Sequence, residues 1–147
     1  MYFPKFSSEA KIWIYQANKA LDKSMQLEIG QKLKSFVEEW AAHGTKLQAD
    51  AEVVDEYRIV LCTDGSIEAS GCSIDSSVRF VKGLGQNYNI DFFNRLQVLV
   101  EKNGNKELIH FSKLGENEDA LIFNPAPRNL GEFRINEKLP VKEYLER

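Results

Sequence analysis

The sequence predicts an α+β domain of the ferredoxin-like kind, a split βαβ arrangement in which two helices lie on one face of an antiparallel sheet. Three observations predict it. Periodicity gives the order strand, helix, strand, strand, helix, strand, followed by an extra edge strand and an irregular C-terminal tail. The first and third strands are apolar on both faces, as the two middle strands of that sheet should be, while the others alternate as edge strands do. The 147 residues, 43% hydrophobic and 28% charged, suit one domain with a core over about 11–112 and an extension over about 115–147.

The first strand is read over Lys11–Gln16, with Ile12 and Ile14 on one face and Trp13 and Tyr15 on the other. Asp22 or Ser24 caps the helix that follows. Met25, Ile29, Leu33, Phe36, Val37 and Trp40 recur at spacings of three and four and form its buried stripe. His43-Gly44 is expected to end it, an imidazole near the negative end of the dipole followed by a residue free to turn left-handed. Leu47, Ala49, Ala51 and Val53 alternate with polar residues as a half-buried strand. Asp55-Glu56 turns the chain into Tyr57–Thr63, apolar on both faces from Ile59 to Cys62.

The second helix is expected from about Ser73 to Leu84, bracketed by Gly83 and Gly85, with Ile74, Val78, Val81 and Leu84 in one stripe. Arg95–Glu101 should turn Leu96, Val98 and Val100 inward. Asn103-Gly104 is a strong hairpin turn, and Leu108–Phe111 is the returning strand. Asp119–Phe123 is the extra strand, Pro125, Pro127 and Gly131 mark irregular chain, and Pro140 opens a short terminal helix through Leu145.

Composition excludes several functions. A net charge of −3 with no lysine and arginine run argues against nucleic-acid binding, which needs a basic surplus. The first residues lack a secretory signal, and the apolar runs fall far short of the roughly 20 residues of a membrane span. The expected compartment is the cytoplasm, with no membrane partner. The two cysteines and two histidines show no CxxC or HxxxH spacing, so no metal or other cofactor is expected. There is no phosphate loop, no complete dinucleotide fingerprint and no nucleophile elbow.

One stretch concentrates chemistry: Ser70-Gly71-Cys72-Ser73-Ile74-Asp75-Ser76-Ser77, at the mouth of the second helix. Unpaired N–H groups and the helix dipole favour an anion there. Gly71 allows a close approach, Ser70, Ser73, Ser76 and Ser77 carry hydroxyls, and Arg79 is the nearest cation. Cys72, at or just before the cap, would have its thiolate favoured. Three readings compete. The leading one is capping by Ser73, with Asp75 in the first turn and Cys72 a small buried residue. The second is a small anionic ligand held by Ser70, Gly71, Cys72, Ser73, Ser76 and Arg79. The third is a nucleophilic or redox Cys72 with His43 as base and Asp75 or Asp64 as orienter.

The Trp13–Gln16 stretch, the Phe36 and Trp40-Ala41-Ala42-His43-Gly44 block, the Ser70–Phe80 block and Asp91-Phe92-Phe93-Asn94-Arg95-Leu96 together resemble a family of small, uncharacterised bacterial proteins of about this size. Members often carry the name "ABC transporter ATPase". That activity needs a phosphate loop with its lysine, an acidic Walker B strand end and a signature loop, and this chain has none of them. The family has no established activity, so the resemblance implies no catalytic residues.

The first functional reading is therefore a non-enzymatic binding or interaction module, homodimeric through the sheet face that the two helices leave open, unless the tail covers that face. The alternative is an anion-binding or thiol-dependent enzyme centred on Cys72.

Overall fold

In a computed structural model, which describes residues 1–147, two antiparallel sheets and a small hairpin are packed among four α-helices and one 3-10 helix. The first sheet joins β1 (Lys11–Gln16), β4 (Ala49–Val53) and β5 (Arg58–Thr63) in the order β1-β5-β4. β1 runs beside β5 over its whole length, Ile12 opposite Cys62 and Tyr15 opposite Ile59. All six β5 residues are buried.

Only β5 is central. The expectation that β1 is also a middle strand is corrected: its outer edge meets the rest of the chain in a single parallel bridge, Gln16 to Phe93. β1 is apolar on both sides for another reason. Both faces of its sheet are covered, so period-two alternation is lost without a second neighbouring strand.

Helix α1 (Lys23–Glu39) starts where Asp22 accepts the Met25 N–H at 2.8 Å, and it buries Ile29, Leu33 and Val37 against the sheet. It stops before His43, against expectation. Ala41–Ala42 (β2) and Thr45–Lys46 (β3) form a hairpin whose two central residues, His43 and Gly44, have φ of 50° and 78°. Two left-handed residues in sequence make the turn whose twist suits a two-residue hairpin, and that outcome displaces the helix end. Asn103-Gly104, with φ of 51° and 80°, makes the same turn where it is expected.

Helix α2 (Gly71–Tyr88) is longer than expected at both ends. Ser70, not Ser73, is its cap: the Ser70 hydroxyl accepts the Ser73 N–H at 3.1 Å. The helix runs through Gly83 and Gly85 and ends at Asn89, left-handed at φ 55°, with the Ile90 N–H returning to the Gly85 carbonyl at 2.9 Å.

The chain then leaves the first sheet. β6 (Gln97–Lys102), β7 (Asn105–His110), β8 (Leu121–Phe123) and β9 (Lys138–Pro140) make a second sheet in the order β7-β6-β8-β9. β8 is therefore internal, not an edge strand, because β9 pairs outside it. Leu96 is corrected as well: it lies before β6 and is 58% exposed, while Leu99 and Val100 are fully buried. A 3-10 helix (Phe111–Glu116), α3 (Leu130–Ile135) and α4 (Val141–Leu145) complete the fold, α4 opening after Pro140 as expected.

Tyr15, Leu33, Val37, Ile59, Leu61, Val81 and Leu84 form the core between the first sheet and its two helices. The opposite face, with Val60 and Cys62, is covered by Phe3 and Ala10 from the N-terminal segment and by Leu130 and Phe133 of α3. The tail and the N-terminus together cover this face of the sheet, the alternative to a second copy of the chain that the sequence leaves open.

Candidate functional site

The serine-rich mouth of α2 is directed inward on itself. Ser70 caps the helix; the Ser73 hydroxyl donates to the Ser70 carbonyl at 2.8 Å, Ser76 to Ser73 at 2.8 Å and Ser77 to Ile74 at 2.6 Å. These bonds satisfy the hydroxyls within the helix's own turns, the pattern short polar side chains adopt in competition with other partners. Ser73 and Ser77 are buried, while Gly71, Cys72, Asp75 and Arg79 are exposed. Cys72 sits in the first turn and not before the cap, and it is not the buried residue of the capping reading.

None of the four main clefts contains Cys72, His43, Asp75 or Arg79. His43 and Asp64 are also exposed, His43 on its hairpin turn. The helix mouth is tied to the hairpin by a different residue: the Trp40 indole N–H donates to the Ser73 carbonyl at 2.8 Å. The other thiol, Cys62, is fully buried, and burial pushes its pKa up to about 12. No group of three or more His, Cys, Asp or Glu side chains gathers where it could hold a metal, and no helix is long and apolar enough to cross a membrane.

The largest concavity lies elsewhere. A cleft of about 810 Å³ opens along the outer edge of β1, with 14 of its 21 lining residues hydrophobic. Consecutive residues Trp13 to Gln16 form one side. Ile74 and Val78 of α2 form a second, Phe92 to Arg95 with Val98 a third, and Phe123 to Ala126 with Tyr144 and Leu145 close it. The geometry follows from the chain's departure after α2. Because β6 joins the other sheet, the place beside β1 stays unfilled. The only cations in the lining are Arg58 and Arg95, and no carboxylate is among the lining residues.

Sequence reading missed Arg58 altogether. It is 2% exposed, and its Nε donates to Asp55 Oδ2 at 2.9 Å. Nη2 reaches the same oxygen at 2.8 Å and Glu137 Oε1 at 2.9 Å. The guanidinium stacks 4.6 Å from the Phe123 ring, and Nη1 has no hydrogen-bond partner. Tyr2 donates to the same Glu137 oxygen at 2.9 Å, and burial with that bond pushes its pKa up to about 12. One ion network thus joins the N-terminus, β5 and the tail. Its local signal was Asp55, three residues before Arg58, where an Asx turn and a fork donor share one carboxylate.

Compared with known proteins, the chain matches no family model, no curated protein and no solved structure.

Proposed function

We propose that this protein is a non-enzymatic binding module whose ligand site is the cleft along the outer edge of β1. The observation that carries the proposal is the cleft itself: large, mostly apolar and aromatic, with a few polar groups at Gln16, Asn94, Arg95 and Asn124, the composition of sites that hold an organic ligand. The finer fold reading belongs with it. The order β1-β5-β4, crossed by α1 and α2, supports a split βαβ unit whose fourth strand has moved to the second sheet, and the cleft is the place that strand has left.

The Cys72 reading, as an anion or thiol site, has less support. Its serine hydroxyls are engaged within the helix, and none of the four main clefts holds Cys72 or its proposed helpers Asp75, Arg79 and His43. The resemblance to the family named after ABC ATPases adds no site to either reading. A cytoplasmic module without nucleic-acid or membrane partners remains the setting we propose, and a homodimer is not needed to cover the first sheet.

An anilinonaphthalene sulfonate dye, apolar and anionic, tests the site. Saturable binding at one dye per chain is expected, and Val78→Trp, which fills the cleft from the α2 side, should abolish it while the near-UV circular dichroism stays that of a folded protein. Unchanged binding to a folded Val78→Trp variant would sink the proposal.

A further inference from the structure

The hydrogen-bond phase of β1 says more about what the cleft takes. The Ala17 N–H donates to the Tyr57 carbonyl at 2.6 Å, and Ala17 follows in register after the Gln16–Arg58 pair. Pairing in an antiparallel ladder alternates, so Trp13 and Tyr15 face β5 with their backbone groups, and Ile12, Ile14 and Gln16 turn theirs to the outer edge. β5 obeys the same phase on its other side, where the Asp64 N–H donates to Gln48 at 3.0 Å. Along the outer edge, the Ala10 carbonyl is taken by the Leu130 N–H at 2.9 Å, and Gln16 is bridged to Phe93. Between these two stops, the backbone N–H and C=O of Ile12 and Ile14 make no hydrogen bond outside the β1–β5 ladder. Two donors and two acceptors therefore stand in a row on a strand edge, with Ile14 itself lining the apolar cleft.

A small apolar molecule would leave those groups unpaired. An extended polypeptide supplies their complement at the same repeat of about 3.3 Å per residue. A strand laid here turns alternate side chains toward Ile74 and Val78 on one side and Phe123 on the other, and both walls are apolar. Charge adds a preference. The lining has two arginines and no acid; Arg58 is already paired with Asp55 and Glu137, while Arg95 is exposed and enters no ion pair. We infer that the cleft takes a short extended segment of a partner protein, apolar at alternate positions and carrying an acidic residue, which adds as a strand to the free edge of β1. This deepens the binding-module reading and rests on it.

The test uses a six-residue peptide, acetylated and amidated, of alternating valine and threonine with a glutamate at one end. Amide hydrogen exchange is followed by NMR on the whole protein. Without peptide, the Ile12 and Ile14 amides should exchange fast while Trp13 and Tyr15 are protected; saturating peptide should slow Ile12 and Ile14 at least tenfold. Two peptides, N-methylated at only the valine or only the threonine amides, separate strand pairing from simple burial. One of them should bind on the order of tenfold more weakly, since a paired edge loses its donors, and the other should bind as the parent does. Arg95→Glu should weaken the parent peptide several-fold at low salt, with the difference shrinking at high salt.

Ile12 and Ile14 amides protected in the free protein, protection that grows with protein concentration alone, equal effects of the two methylated peptides, or no effect of Arg95→Glu would each overturn the inference. If the dye still fills the cleft in the wild type and is lost in Val78→Trp, the binding site stands and only the peptide as occupant falls.

Discussion

The Trp40 indole N–H and the Ser73 carbonyl oxygen lie 2.8 Å apart, a buried hydrogen bond between the residue that ends α1 and the first turn of α2. Trp40 also meets Trp13 edge-on, with ring centroids 5.6 Å apart, so one side chain links both helices to β1. Through it, the α2 wall of the cleft is held against the strand edge.

Trp40→Phe should therefore cost more than lost area. The Ser73 carbonyl keeps the Ser76 hydroxyl as a partner, so the loss is that of one net hydrogen bond plus imperfect filling, about 1–2 kcal/mol. Thermal unfolding should show a melting temperature lower by several degrees. A variant as stable as the wild type would mean the bond is dispensable.

Ser70→Ala tests whether the serine-rich block is structural. Removing the cap should destabilise the protein by about 1 kcal/mol, because the Ser73 N–H loses its acceptor. Dye and peptide binding at the β1 cleft should stay at wild-type affinity. Loss of binding in a folded Ser70→Ala protein would bring the helix mouth back as a site.

Local chemistry made much of this legible. Asp22 caps α1, Asn103-Gly104 turns a hairpin, and Ile29, Leu33 and Val37 of α1 with Val81 and Leu84 of α2 are buried where periodicity put them, while Ile74 and Val78 of the α2 stripe line the cleft instead. Position within a sheet was another matter. The double apolarity of Ile12–Tyr15 records burial on both faces, and the α3 residues that provide half of it lie more than a hundred residues away. His43-Gly44 could end a helix or turn a hairpin, and the choice was decided by Trp40, whose indole is tied to Ser73. The cleft could not be read at all, because it exists through the absence of a fourth strand beside β1 and not through any motif.

Arg58→Met should be among the costliest single changes. Asp55 is 7% exposed in its side chain and Glu137 25%, so both acids would lose their shared cation in surroundings that solvate them poorly. Breaking a buried ion pair from one side typically costs about 3–5 kcal/mol. Arg58→Lys should recover only part of this, since an ammonium cannot span the Asp55 and Glu137 oxygens as the fork does. Denaturant midpoints of the two variants check both statements.

Gly131 is where α3 meets the N-terminal segment. Its N–H donates to the Ser8 carbonyl at 2.9 Å, and a Cβ there would stand 2.8 Å from the Ser8 Cβ and 3.1 Å from its carbonyl oxygen. Gly131→Ala should push the two segments apart and loosen the cover over Val60 and Cys62. The expected signature is faster alkylation of Cys62 than in the wild type. A Gly131→Ala protein with Cys62 as protected as before would show that Ser8 gives way without moving α3.

Alkali should unfold this protein in a window set by its buried acids. Burial pushes the Cys62 thiol from 9.0 up to about 12. Burial, with the bond to Glu137, pushes the Tyr2 phenol from 10.0 up to about 12. Tyr15 and Tyr57 are raised in the same direction, chiefly by burial. In each case the folded state holds its proton more tightly than the unfolded chain. The sign follows directly: the stabilisation is fully present below pH 9, and it declines between about pH 9 and 12 as the unfolded chain releases protons the folded one keeps. Cys62, with no exposure, contributes a slope of up to about 1.4 kcal/mol per pH unit. Cys62→Ala should flatten that decline from about pH 9 upward and Tyr2→Phe only from about pH 10 upward, as read from denaturant midpoints across the range. At neutral pH the same difference appears as chemistry: one thiol, the exposed Cys72, should react with iodoacetamide in the native protein, and the second only on unfolding. Two thiols modified at equal rates under native conditions would mean that Cys62 is not sealed beneath α3, and the alkaline argument would fail with it.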